Sequence, residues 1–141
     1  MGFKMSSLMR FGVSIEDDLL KKFDGLINRK GYSNRSEAIR DLIRKNLVEK
    51  EWDEKGEVAG GIAIVYDHDK RELVNKIIDI QHDYHDVIIS SQHVHLDEHN
   101  CLEVVIVKGK VEEVEKLADT LRSLKGVSHC TLARATTGKK L

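Results

Sequence analysis

The sequence predicts an α+β chain in two parts, a βαα segment followed by a βαββαβ segment. Three observations carry that expectation: strict apolar alternation near the start, two amphipathic helical stretches after it, and, beyond a glycine-rich break, four strand-like runs interleaved with two helix-like ones. At 141 residues the chain suits one medium domain or two small ones.

The first run, LMRFGVSI from Leu8 to Ile15, sets Met9, Phe11, Val13 and Ile15 on one face and Arg10, Gly12 and Ser14 on the other, the period of a half-buried strand. EDDLLKKFDGLINRKGY follows, with acids in its first turn, Leu19, Leu20, Phe23, Leu26 and Ile27 at helical spacing, and basic residues before Gly31. NRSEAIRDLIRKNLVEKEW then opens on Asn34 as N-cap with Glu37 three residues on, resembling a capping box, and carries Ile39, Leu42, Ile43 and Leu47 as its apolar stripe. One strand and two helices leave strand edges unpaired and bury too little, so a second chain is required. Pairing the strand with its copy makes an antiparallel ribbon whose outer face carries Arg10, Gly12 and Ser14. Such a ribbon fits the DNA major groove, where arginine recognises guanine in bidentate fashion. The same pattern also serves a ribbon that only dimerises.

DEKGEVAGG, residues 53–61, reads as a linker. Residues 1–52 are therefore expected as one domain, with 1–7 a flexible arm, and residues 62–141 as another. In the second, IAIVY is a strand, DKRELVNKIIDIQHDY a helix, DVIISSQHVHLD and CLEVVIVKG two strands, VEEVEKLADTLRSLKG a helix and VSHCTLARAT a last strand. That order is a ferredoxin-like plan with both helices on one sheet face. The other face needs a cover, which again points to oligomers.

Within SSQHVHLDEHNCLEVV, His93 and His95 lie at i and i+2 of a strand and so point the same way, roughly 7 Å apart at Cα. Cys101 follows across the turn on the neighbouring strand. H-x-H-x5-C thus offers two nitrogens and a sulfur to one point, and His82, near the end of the preceding helix, is a candidate fourth ligand. Thiolate plus imidazole suits late first-row divalent metals: zinc if tetrahedral, Cu(II) or Ni(II) if square-planar. The bland reading makes the histidines polar residues of an exposed strand and Cys101 a small core residue. Five of the seven histidines fall between His82 and His99, which favours metal.

Residues 1–50 carry 11 Lys and Arg against 7 Asp and Glu, whereas the remainder is acidic and holds every histidine. One half thus suits an anionic partner and the other a cation. With 33% charged residues and no apolar run long enough to span a bilayer, a cytoplasmic protein is expected. Two cysteines are too few for a disulfide framework. No nucleotide-binding glycine loop or Ser/His/Asp arrangement occurs. A site with four protein ligands leaves no open position for catalysis, so the metal reads as a signal, not a reagent.

GYSNRSEAIRDLIR, YDHDKREL and QHVHLDEHNCLE, with the upstream pair Gln81 and His82, together resemble the nickel-responsive transcriptional regulators of the NikR family, from about Met9 to the end. The resemblance implies a ribbon-helix-helix DNA-binding domain joined to an ACT-type βαββαβ domain in a homotetramer of two dimers. It implies one square-planar Ni(II) per chain, held by His93, His95 and Cys101 of one chain and His82 of another. It implies base contacts from Arg10 and Ser14, and phosphate contacts around Asn34 and Arg35 and from Lys70 and Arg71. Glu37 and Asp41 match an acidic pair credited with an additional monovalent or divalent cation between domains, while Tyr66, His68 and Glu103 match positions that support the ligands. Gly12 departs from the family, whose members often carry a hydroxyl residue there, so the operator sequence cannot be borrowed. The implied role is a repressor, activated by Ni(II) for operator DNA and controlling nickel-uptake genes. Its rivals are a metal storage or chaperone protein that uses the acidic half, and a ribbon-helix-helix regulator that senses an amino acid.

Overall fold

The computed structural model describes residues 6–141. The expected arm at 1–7 thus lies mostly outside the described residues. The chain forms two compact units that divide at Leu42 and Ile43, within one long helix. Among the described residues no helix is long and apolar enough to cross a membrane.

In the first unit, residues 6–16 form neither helix nor strand. The expected strand is absent from the single chain, in which this segment has no neighbouring strand with which to exchange hydrogen bonds. Its apolar face is bare, with Met9 89%, Phe11 73% and Val13 66% exposed. Helix α1, Asp17–Lys30, has Asp17 and Asp18 in its first turn and Arg29 and Lys30 in its last, complementing the helix dipole. Gly31 ends it in the left-handed region at φ 73°, and the Tyr32 N–H donates back to the Ile27 carbonyl. Helix α2 runs Arg35–Asp53. Asn34 caps it as expected, its Oδ1 accepting the Glu37 N–H at 2.9 Å, while the Glu37 carboxylate reaches back to the Ser33 N–H at 3.4 Å. Ile27 and Ala38 are buried in this unit, but Leu19 and Leu42 remain about half exposed.

The second unit starts with the last turns of α2 and continues as β1 Glu57–Asp67, α3 Arg71–Asp83, β2 Ile88–His95, β3 Asn100–Lys110, α4 Val111–Ser123 and β4 Val127–Arg134. The sheet order is β2-β3-β1-β4, with every neighbouring pair antiparallel. This is the expected βαββαβ plan. Val58, Ile62, Ile64 and Tyr66 of β1 and Cys101, Val105 and Val107 of β3 form one core with Leu73 and Ile77 of α3 and Val114, Leu117 and Leu121 of α4. On the opposite sheet face Ala63, Val65 and Val104 stay half-buried and Ile106 is exposed. Among the described residues of this unit, both helices α3 and α4 pack on the other face.

Residues 53–61 correct the linker expectation. Helix α2 extends to Asp53, Lys55 turns the chain at φ 57°, and β1 is already paired at Glu57, opposite Lys110. The glycines that read as loop punctuation belong to the strand. A Cβ on Gly60 would stand 2.7 Å from the Ala133 carbonyl oxygen of β4, so only glycine admits that approach. Gly60→Ala is expected to destabilise the fold by about 1–3 kcal/mol through forced backbone separation, seen as a lower urea midpoint at unchanged slope. An unchanged midpoint would mean that β4 yields without cost.

The chain's last residues strap onto α2. The Trp52 indole N–H donates to the Ala135 carbonyl at 2.9 Å, the Thr136 hydroxyl donates to the Glu51 carboxylate at 2.9 Å, and the Arg134 guanidinium lies 5.3 Å from the Trp52 ring centroid. Trp52 and Glu51 are buried beneath this strap.

Candidate metal centre

Antiparallel register, not proximity in sequence alone, assembles the candidate site. His95 stands opposite Cys101 and His93 opposite Glu103 across β2 and β3, and Tyr66 of β1 stands opposite Cys101 on the other side. Directly opposed residues share a face. His93, His95, Cys101, Glu103 and Tyr66 therefore lie on the helix-bearing side of the sheet. The imidazoles of His93 and His95 have centroids 5.2 Å apart, Tyr66 lies 6.2 Å from His93, and His68 stacks on His95 at 4.3 Å. The four rings make a row along the end of the sheet.

The donors differ in exposure. Cys101 is fully buried, its thiol donating to the Tyr66 carbonyl at 3.4 Å, and burial pushes its pKa up. His93 and His95 are exposed. Burial and then the charge of Glu103 raise the Tyr66 phenol, so it stays a neutral hydroxyl. Glu103 is itself buried and accepts a 2.6 Å hydrogen bond from the Gln81 amide, which ties β3 to α3 one residue before His82. His82 is exposed on the last turn of α3, beside a cavity of about 330 Å³ lined also by Ile78, Gln81, His85 and Ile88. The His85 Nδ1 lies 3.0 Å from the His82 carbonyl.

Two imidazoles and a thiol on one face fit a late first-row divalent metal by donor chemistry. Their ligand atoms do not converge into one shell in the single chain. Among the described residues, the group of three whose ligand atoms all fall within 4.8 Å of one another is Asp67, Asp69 and His99. His99 Nδ1 and Asp69 Oδ2 are 2.7 Å apart, the hydrogen bond holding the Asp69 carboxyl down and the His99 imidazole up. Sequence reading missed this trio. Its one local signal was the loop turn, where Asp97 accepts from the Asn100 amide and the N–H groups of Asn100 and His99 and is held down to about 2. His68 has one more distinction: its Nε2 is buried without a hydrogen-bond partner.

Among the expected DNA contacts, Arg10, Gly12 and Ser14 are exposed on the unpaired segment. Lys70 and Arg71 are exposed where α3 begins. Arg35 is engaged by Asp24 through two bonds of 2.8 Å, a contact not foreseen. Of the suggested acidic pair, Glu37 serves the start of α2 and Asp41 accepts the Tyr32 hydroxyl.

Residues 9–50 match the model of the ribbon-helix-helix proteins, copG family, and residues 59–135 that of the NikR C terminal nickel binding domain. Curated relatives, each provisionally named a nickel-responsive regulator, include one of Syntrophus aciditrophicus, 56% identical over 96% of this chain and 98% of its own. One of Thermococcus onnurineus is 57% identical over 95% and 98%, and one of Geobacter sulfurreducens 55% identical over 97% and 99%. Among solved structures, an uncharacterized protein of Thermotoga maritima superimposes with a TM-score of 0.52 at 14% identity, over 57% of this chain and 99% of that one, a likeness of fold alone. The two matched segments follow each other in the order of the two parts described above, and with full-length relatives at this identity the chain belongs to the family of nickel-responsive transcriptional regulators, which are not enzymes.

Proposed function

We propose that the protein is a repressor of nickel-uptake genes that binds operator DNA when nickel is replete, as a cytoplasmic homotetramer of two ribbon dimers. The observation that carries the metal half is the cross-strand set of His93, His95 and Cys101, with Tyr66, His68 and Glu103 packed around it. His82 of a second copy completes four ligands. Its exposure beside an open cavity, together with the exposure of His93 and His95, suits a site shared between chains. One Ni(II) per chain would tie the two copies through thiolate and imidazole donors, while Glu103 and Gln81 hold β3 and α3 in place beneath them.

The DNA half rests on the βαα segment up to the end of α2, and the metal half on the sheet from β1 onward. Arg10 and Ser14 would contact bases, Gly12 would leave a gap, and Asn34, Arg35, Lys70 and Arg71 would contact phosphates. Joining two copies at His82 would fix the placement of α3, and with it of Lys70 and Arg71 at its start, so a shared ligand set favours the DNA-competent arrangement. Glu37 and Asp41 would hold an additional cation, monovalent or divalent.

The decisive experiment titrates a duplex with apo-protein and with protein loaded from a panel of divalent metals. Nickel-dependent, salt-sensitive and sequence-selective binding is expected. A protein that takes up nickel without any change in DNA binding would instead store or carry the metal.

A pH series supplies a second test. Cys101 enters the site as thiolate although burial raises its pKa, so nickel capture releases its proton. Nickel affinity is expected to fall about tenfold per unit of acidification for each proton released. In the apo-protein the sign reverses. The raised thiol contributes stability below the ordinary thiol range, and that contribution is lost as pH rises through the folded-state value. Calorimetry in buffers of different ionisation enthalpy counts the protons; a count of zero would remove the thiolate from the site.

A further inference from the structure

We infer that Asp24 is a charge brake on Arg35, holding down the sequence-independent affinity of the protein for DNA. The inference rests on the reading of Arg35 as a phosphate contact and deepens it. The Arg35 Nε donates to Asp24 Oδ1 and Nη2 to Asp24 Oδ2, both at 2.8 Å, so the carboxylate occupies the edge of the guanidinium that best matches two phosphate oxygens. Two of the five N–H donors are thereby taken. The pair spans α1 and the first residue of α2, where the sequence resemblance expects the nucleic-acid backbone. Both side chains are substantially exposed, at 56% and 40%, and an exposed ion pair contributes little to stability. Its fork-to-fork geometry is therefore poorly explained as a structural brace.

Electrostatics fixes the direction of the effect. Hydrogen bonding to Arg35 holds the Asp24 carboxyl below its ordinary range, so the brake is charged at any pH at which the protein would meet DNA. An incoming phosphate meets a guanidinium whose charge is already compensated, and must displace the carboxylate or share the cation with it. Arg35 then contributes little net counterion release. Binding is left to depend on base contacts and on the contacts at Lys70 and Arg71.

Asp24→Asn removes the charge and keeps the shape, and Asp24→Ala removes both. With apo-protein and a random-sequence duplex, each is expected to steepen the dependence of log affinity on log salt by about 0.9 per pair that meets a phosphate, which is about fivefold tighter binding per pair at 0.15 M salt relative to 1 M. In an Arg35→Ala background the same substitutions should lose most of that gain. Weaker binding at unchanged salt slope would overturn the inference, making Asp24 a support for Arg35. Equal gains in both backgrounds would overturn it too, leaving general repulsion. If Arg35→Ala leaves affinity and slope unaltered in the Asp24→Asn background, the phosphate-contact reading fails and the inference with it; if Arg35→Ala lowers affinity and slope in the wild-type background while Asp24→Asn changes nothing, the inference alone fails. Circular dichroism and a melting curve on each variant confirm that the unit is folded.

Discussion

An equimolar mixture of His82→Ala and Cys101→Ala proteins, unfolded together and refolded, is expected to recover about a quarter of the nickel sites although neither protein alone binds at the four-ligand site. The number follows from symmetry. In a closed pair with two shared sites, a mixed pair concentrates both lesions in one site and leaves the other intact. Random pairing makes half of the pairs mixed, hence the quarter. The structure motivates the test because His82 is exposed on α3 while Cys101 is buried on β3, and among the described residues no group of converging ligand atoms includes His82. Recovery of no sites, with mixed assembly confirmed by mass spectrometry, would return all four ligands to one chain.

Arg10→Ala is expected to cost about 1–3 kcal/mol of discrimination for each base the arginine contacts, with nickel binding and assembly unchanged. In the proposed two-chain ribbon the effect multiplies, because each ribbon would carry two copies of the arginine. Competition between a selected operator and random duplex measures it, and unaltered selectivity would reduce the ribbon to a dimerisation element. Gly12 offers the converse change. In the single chain a Cβ there meets nothing within 4 Å, so Gly12→Thr leaves the protomer's own packing untouched and is expected to act on operator preference.

How much of this was legible in the sequence depended on how far apart the interacting residues are. Helices α1 to α4 and the order of the strands along the chain followed from apolar period and from caps such as Gly31 after α1 and Asn34 before α2, which act within a turn or two. His93, His95 and Cys101 could be grouped because a short turn joins their strands, so local spacing already implied the register. Tyr66 and His68 came only from family resemblance, since their place beside the histidines depends on β1 lying against β3, and Glu103, opposite His93 across β2 and β3, came from the same source. Asp67, Asp69 and His99 escaped notice for the same reason: the hydrogen bond that joins them crosses 30 positions. Gly60 misled because glycine marks a turn far more often than a close strand crossing. The strand at 8–15 was read from a pattern that one chain cannot satisfy, so its test lies in the assembly.

The strap of residues 134–136 over Trp52 and Glu51 bears on how this protein should be cut for separate study. A fragment begun at Ile62, where the apolar alternation first becomes obvious, would delete Glu57 to Gly61 and strip β3 of its partner from Ile106 to Lys110. It would also remove the ring on which Arg134 lies and the donor that holds the Ala135 carbonyl. Cloning from Ile43 instead keeps the whole compact unit, with the last turns of α2 as its first secondary structure. The compact unit that carries the candidate metal ligands therefore begins inside a helix, and a loss of nickel affinity in a shorter fragment would report a damaged sheet.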